Sequence, residues 1–76
     1  MNVSIEEIRE IIENADTMAE MDILKNDIPL TEQEVDSLDM ANILLLIEEK
    51  YEIKIPNKDL DQLQSVDHIV SYLSKR

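Results

Sequence analysis

Asp36-Ser37-Leu38-Asp39-Met40-Ala41-Asn42-Ile43-Leu44-Leu45-Leu46-Ile47 holds the longest predominantly apolar run of the chain, and its reading decides the fold. An aspartate and a serine ahead of an apolar, periodic segment mark a helix N-terminus. The helix is predicted to start at Asp36 or Ser37 and to end near Tyr51, before Ile53-Lys54-Ile55-Pro56. Met40, Ile43, Leu44, Ile47 and Tyr51 fall within roughly a third of its circumference, an ordinary core face. Leu38, Ala41 and Leu45 form a second arc, set apart by the directions of Ser37 and Glu48. Either the preceding loop folds over this arc or it stays exposed beside Ser37, forgoing ~1.5–3 kcal/mol of burial per leucine. Exposed apolar side chains rimmed by carboxylates mark protein-docking surfaces.

The segments on either side read as helices joined by polar turns. Ser4 can cap a first helix while Glu7 reaches back to it, and Val3 can staple onto Ile8. Ile5, Ile8, Ile12 and Ala15, with Ile11 beside them, give a core stripe from Ser4 to Ala15. Residues 16–35 include Met18, Met21, Ile23, Leu24, Ile28 and Leu30 without a sustained period, and Pro29 biases Ile28 away from helix, so a long ordered loop is expected. Thr31-Glu32-Gln33-Glu34 is suited to cap one turn within it. Pro56-Asn57 opens a short helix to Leu60 or Asp61, with Asn57 as cap and Leu60 and Leu63 as anchors. Ser65 caps a last helix with Val66, Ile69, Val70 and Leu73 inward, Tyr72 at the margin, and Lys75-Arg76 at the negative end of its dipole.

The predicted fold is therefore all-α: a small four-helix bundle with three principal helices and one short helix. The chain has 76 residues, no glycine and two prolines, and no internal repeat, so residues 1–76 are expected to form one domain. A core that small carries no large catalytic cleft. Eighteen acidic residues against seven basic ones, net −11, repel nucleic acid and anionic lipid and favour a protein partner with a basic patch. The absence of cysteine excludes a disulfide framework and fits a reducing compartment. With neither a secretory leader nor a bilayer-length apolar stretch, a cytoplasmic protein without membrane insertion is expected.

Ser37 has two readings: a helix cap with no further role, or a displayed hydroxyl to which something is attached. A catalytic serine is disfavoured, because the single histidine, His68, lies in the last helix and no glycine supplies a nucleophile elbow. His68 reads as a solvated or packed side chain. An EF-hand needs a glycine at its sharp turn, so specific calcium sensing is disfavoured too; clusters such as Glu48-Glu49 offer only loose divalent binding.

Asp36-Ser37-Leu38-Asp39, a helix ending in Ile47-Glu48-Glu49-Lys50-Tyr51, and then Ile53-Lys54-Ile55-Pro56 together resemble the acyl carrier proteins and their peptidyl carrier relatives. The ordered set covers nearly the whole chain, from the amphipathic first helix to the Ser-Val opening of the last. The resemblance implies that Ser37 receives 4'-phosphopantetheine from coenzyme A through a separate phosphopantetheinyl transferase, and that an acyl group rides as a thioester on the cofactor thiol. It implies a carrier, not an enzyme: a free-standing monomer serving acyl-loading and acyl-transfer enzymes of fatty acid, lipid or polyketide-type synthesis. Leu38, Ala41 and Leu45 are then partner-facing, while Asp36, Asp39, Glu48 and Asp59 steer basic docking patches. A pocket sheltering the acyl chain is expected at Ile43, Ile47 and Val70.

This sequence departs from the family pattern at two places. Many members carry a glycine two or three residues before the modified serine, where this chain has Glu34-Val35-Asp36, so the loop must turn without it. Met40-Ala41-Asn42 replaces a pattern with a glutamate near Asn42, which suggests a specialised carrier with dedicated partners. An aminoacyl or peptidyl carrier shares the arm and differs in its loading enzyme; an unmodified acidic adaptor would be indifferent to Ser37.

Overall fold

The computed structural model describes residues 2–15, 17 and 19–75. Three α-helices, α1 (Ile5–Asn14), α2 (Ser37–Tyr51) and α3 (Val66–Ser74), alternate with two 3-10 segments, Leu30–Glu32 and Asn57–Gln62, with no strand among the described residues. The three long helices and the shorter one before α3 are those expected, but the short one is 3-10 in hydrogen bonding.

Helix α1 starts as its sequence requires. Ser4 Oγ accepts the Glu7 N–H at 3.1 Å and Glu7 Oε1 accepts the Ser4 N–H at 3.3 Å, satisfying two backbone donors reciprocally. Val3 packs against the core, as a staple would. Ile8, Ile11 and Ile12 are buried, but Ile5 sits at the edge of the stripe, 38% exposed. The helix packs on both α2 and α3.

From Met21 to Gln33 the connection to α2 is held by two polar side chains. Arg9 reaches out of α1 to donate to the Met21 carbonyl (2.5 Å), the Leu24 carbonyl (3.0 Å) and Asn26 Oδ1 (2.7 Å). The planar guanidinium suits such a divergent set of acceptors. Gln33 clasps the loop farther on: its Oε1 accepts the Lys25 N–H, and its Nε2 donates to the Lys25 and Ile28 carbonyls. Leu24, Leu30 and Val35 thereby enter the core. Met18 lies outside the described residues.

Thr31 does not cap a turn. The 3-10 segment starts one residue earlier, with Pro29 in the cap position and no side-chain cap, because Leu30 is drawn inward by burial and by its N–H bond to the Gln64 carbonyl, 2.7 Å. Asn57 likewise does not cap. Pro56 occupies that position and its carbonyl accepts the Asp59 N–H at 2.9 Å, leaving Asn57 as the first residue of the segment. Only Leu63 anchors this segment fully; Leu60 remains 39% exposed.

Helix α3 has the expected cap, Ser65 Oγ accepting the His68 N–H at 3.2 Å, and the Asn26 carbonyl takes a second free donor, the Asp67 N–H, at 2.9 Å. Val66, Ile69 and Leu73 are buried, Val70 and Tyr72 partly so, and His68 is exposed. Lys75 is the C-cap, and Arg76 lies outside the described residues.

Candidate functional site

Asp36, not Ser37, caps α2. Its backbone is extended, its Oδ1 accepts the Asp39 N–H at 2.8 Å, and its carbonyl accepts the Met40 N–H at 2.9 Å. Ser37 is thereby the first helical residue, exposed, and its hydroxyl makes no hydrogen bond to a described residue. The capping reading of Ser37 is corrected here: an aspartate one position earlier already satisfies the donor a serine cap would take. The hydroxyl is displayed at the positive end of a 15-residue helix, among first-turn N–H groups, where an anionic substituent is stabilised. A phosphate ester on Ser37 therefore fits the residues present.

The turn delivering the chain to this helix is strained. Glu34 has φ 66°, in the left-handed region that favours glycine, three residues before Ser37. The geometry that a glycine would supply is thus adopted by a glutamate. Gln33, bonded into the loop just before it, and Val35, 1% exposed just after it, fix the chain on both sides.

Beside Ser37 lies an apolar cleft of about 280 Å³. Met40, Ala41 and Leu44 of α2 form one wall, Leu60 and Leu63 the other, with Thr31 and Gln64 adding polar atoms. Periodicity had assigned Met40 and Leu44 to the core face, and they are only half-buried. Leu44 stands at the edge of the core arc next to Ser37, which is a sequence signal for it; Met40 lies within that arc between Ile47 and Tyr51, and periodicity does not set it apart.

On the outer arc of the helix, Leu38 is 75% exposed, Leu45 52%, and Ala41 is exposed. The long loop does not fold over them; its apolar residues Leu24, Leu30 and Val35 go into the core instead. Ile43 and Ile47, on the opposite side, have no exposed surface and do not line the cleft beside Ser37, nor does half-buried Val70.

The carboxylates differ in freedom. Asp39 is half-buried in the first turn of α2. Glu48 Oε2 accepts the Ile55 N–H at 2.8 Å, and the Glu48 carbonyl accepts the Ile53 N–H at 3.1 Å, across the left-handed Glu52 that ends α2. Asp59 Oδ2 accepts the Tyr72 hydroxyl at 2.6 Å, tying the short helix to α3. Among the described residues no group of three or more His, Cys, Asp or Glu side chains could hold a metal ion, and no helix is long and apolar enough to cross a membrane.

The family model described as "Phosphopantetheine attachment site" matches residues 6–73. The chain belongs to the acyl carrier protein family. Among its relatives, the "Acyl carrier protein" of Rhodococcus erythropolis is 31% identical over 71 residues, 93% of this chain and 78% of that protein. The "Meromycolate extension acyl carrier protein" of Mycobacterium tuberculosis is 35% identical over 68 residues, 90% of this chain and 59% of that one. The "Acyl carrier protein, mitochondrial" of Neurospora crassa is 49% identical over 39 residues, 51% of this chain and 29% of that one. The match thus spans less than two thirds of the Mycobacterium and Neurospora proteins. Acyl carrier proteins are carriers, not enzymes, and 4'-phosphopantetheine is the group they hold. Acyl carrier proteins work with a phosphopantetheinyl transferase and with acyl-handling enzymes.

Proposed function

We propose that Ser37 is the attachment point of 4'-phosphopantetheine and that this carrier delivers acyl intermediates to enzymes that dock on the exposed side of α2. The observation carrying this reading is that Asp36 does the capping, so the Ser37 hydroxyl is spare at the head of the helix. When bound, the group supplies a thiol that holds the acyl cargo as a thioester.

The chain's own residues position and present that arm. First-turn N–H groups of α2 stabilise the ester's negative charge, and the cleft walled by Met40, Leu44, Leu60 and Leu63 offers apolar contact to whatever lies beside Ser37. Holding cargo against Ile43, Ile47 and Val70 requires the core to open, because the two isoleucines are fully buried. Leu38, Ala41 and Leu45 form the apolar centre of the docking face. Asp36, Asp39, Glu48 and Asp59 draw basic partner surfaces toward it, raising association rates more than affinity. A monomeric carrier domain in the cytoplasm, serving fatty acid, lipid or polyketide-type synthesis, completes the reading; two relatives carry mitochondrial names.

Intact mass before and after incubation with coenzyme A, magnesium and a broad-specificity phosphopantetheinyl transferase tests it. One phosphopantetheine added to the native chain and none to Ser37→Ala is the expected result. No addition to a folded, previously unmodified chain rejects the assignment of Ser37.

A further inference from the structure

Ile23 is 70% exposed although Leu24 beside it is buried. Its position is braced. The Ile23 and Leu24 N–H groups both donate to the Glu20 carbonyl, at 3.1 and 3.0 Å, forming a single turn. Arg9 holds the Met21 and Leu24 carbonyls on either side of Ile23, and Gln33 holds both backbone groups of Lys25. An apolar side chain displayed on a segment already ordered loses little conformational freedom on contact, which is what a docking anchor requires.

Ile23 and Leu24 line an open cleft of about 270 Å³ together with Glu20, Glu32, Gln33 and Glu34. The three glutamates are exposed. Apolar walls among carboxylates match the shape of a lysine or arginine side chain, whose methylenes lie on apolar surface while the charge meets the acids. The strained backbone of Glu34 carries one of those carboxylates.

This cleft and the one beside Ser37 adjoin the same 3-10 turn, Leu30–Glu32, with Thr31 lining the latter and Glu32 the former. Glu34 is three residues from Ser37, so their Cα atoms lie within ~11 Å even for an extended chain. An interface of ordinary size covers ~800 Å² per partner, a disc of ~16 Å radius. Enzymes acting at the far end of the arm can sit an arm's length away. The transferase must bring its reacting groups to Ser37 Oγ itself, so its footprint is centred there and extends toward Ile23.

We propose that the phosphopantetheinyl transferase grips this protein at a second place besides α2: Ile23 seats in an apolar depression of the transferase while a basic transferase side chain enters the cleft among Glu20, Glu32 and Glu34. This rests on Ser37 being the attachment point. It makes the long loop part of the recognition surface and gives the negative charge around Glu34 a partner.

The test is the kinetics of Ser37 modification by a broad-specificity transferase with coenzyme A and magnesium, followed by intact mass. Ile23→Ser and the triple variant Glu20→Gln/Glu32→Gln/Glu34→Gln are expected to raise KM about three- to tenfold with kcat held, the pattern of lost ground-state binding. Ile23→Leu is expected to keep the wild-type KM, and the triple variant to show a weaker dependence of KM on salt. Ile23 is exposed, so Ile23→Ser leaves the core intact, and circular dichroism checks this. Glu13→Gln, an exposed position on α1, serves as the charge control with KM unchanged. A KM within about twofold of wild type in both the serine and the triple variant overturns this proposal alone. A wild-type chain that is never modified removes it together with the assignment of Ser37.

Discussion

The Tyr51 hydroxyl donates to Glu7 Oε2 at 3.0 Å, joining the last residue of α2 to the capping box that starts α1. One carboxylate thus serves two purposes: Oε1 closes the cap on Ser4 while Oε2 holds the neighbouring helix. The bond to Tyr51, then those from Ser4, hold the Glu7 carboxyl below its ordinary value of 4.5. Burial, then the bond to Glu7, pushes the Tyr51 phenol from 10.0 up to about 12.

Stability should accordingly fall at both ends of the pH scale. Glu7 is depressed in the folded state, so its contribution is present above 4.5 and is lost as pH falls through the folded value. Tyr51 is raised, so its contribution is full below 10.0 and is lost as pH rises toward about 12. Tyr51→Phe should lower the thermal midpoint at neutral pH and flatten the alkaline limb. Thermal melts of both proteins from pH 3 to 12 check this, and an identical alkaline slope would count against the linkage.

Removing the Ser37 hydroxyl should leave the fold almost untouched, whereas removing the Asp36 carboxylate should not. Asp36→Ala is expected to cost about 0.5–2 kcal/mol, as for other cap truncations. Ser37→Ala is expected to cost clearly less while abolishing modification. Urea unfolding of the two variants separates them; equal losses would return the cap to Ser37.

Glu34 is where backbone conformation and residue type disagree. Glu34→Val should destabilise by about 1–2 kcal/mol, since a β-branched side chain tolerates the left-handed region poorly. Glu34→Gly should be neutral or stabilising, because relief of that penalty offsets the larger entropy of an unfolded glycine. Denaturant midpoints for the pair would show opposite signs or a gap of that order.

Arg9→Ala should loosen the loop from Met21 to Asn26 at a cost of about 1.5–3 kcal/mol, the range for a hydrogen bond that involves a charged group. Arg9→Lys should recover only part, because one ammonium cannot span the three acceptors. Amide exchange at Ile23 and Leu24, whose N–H groups form the local turn, reports the loosening; unchanged protection would leave Arg9 without this role.

The amino-acid sequence by itself determined the helices, their caps at Ser4 and Ser65, and the core side of α2 at Ile43 and Ile47. These follow from local periodicity and from capping chemistry confined to four consecutive residues, as does the short helix between Pro56 and Leu63. The ordered motifs from Asp36 to Pro56 also carried the family. The tertiary structure decided what depends on contacts distant along the chain. Whether Leu38 and Leu45 stay outside depended on where the long loop goes, and Arg9, 15 residues from Leu24 in sequence, directs it elsewhere. Whether Thr31 and Asn57 cap depended on Leu30 being drawn to Gln64 and on the Pro56 carbonyl. The cleft beside Ser37 joins Met40 and Leu44 to Leu60 and Leu63 across two elements, and no period within one helix encodes that meeting. Position decided between Asp36 and Ser37 as well: both residues suit a cap, and the chain enters the helix extended at Asp36, which leaves the serine hydroxyl spare.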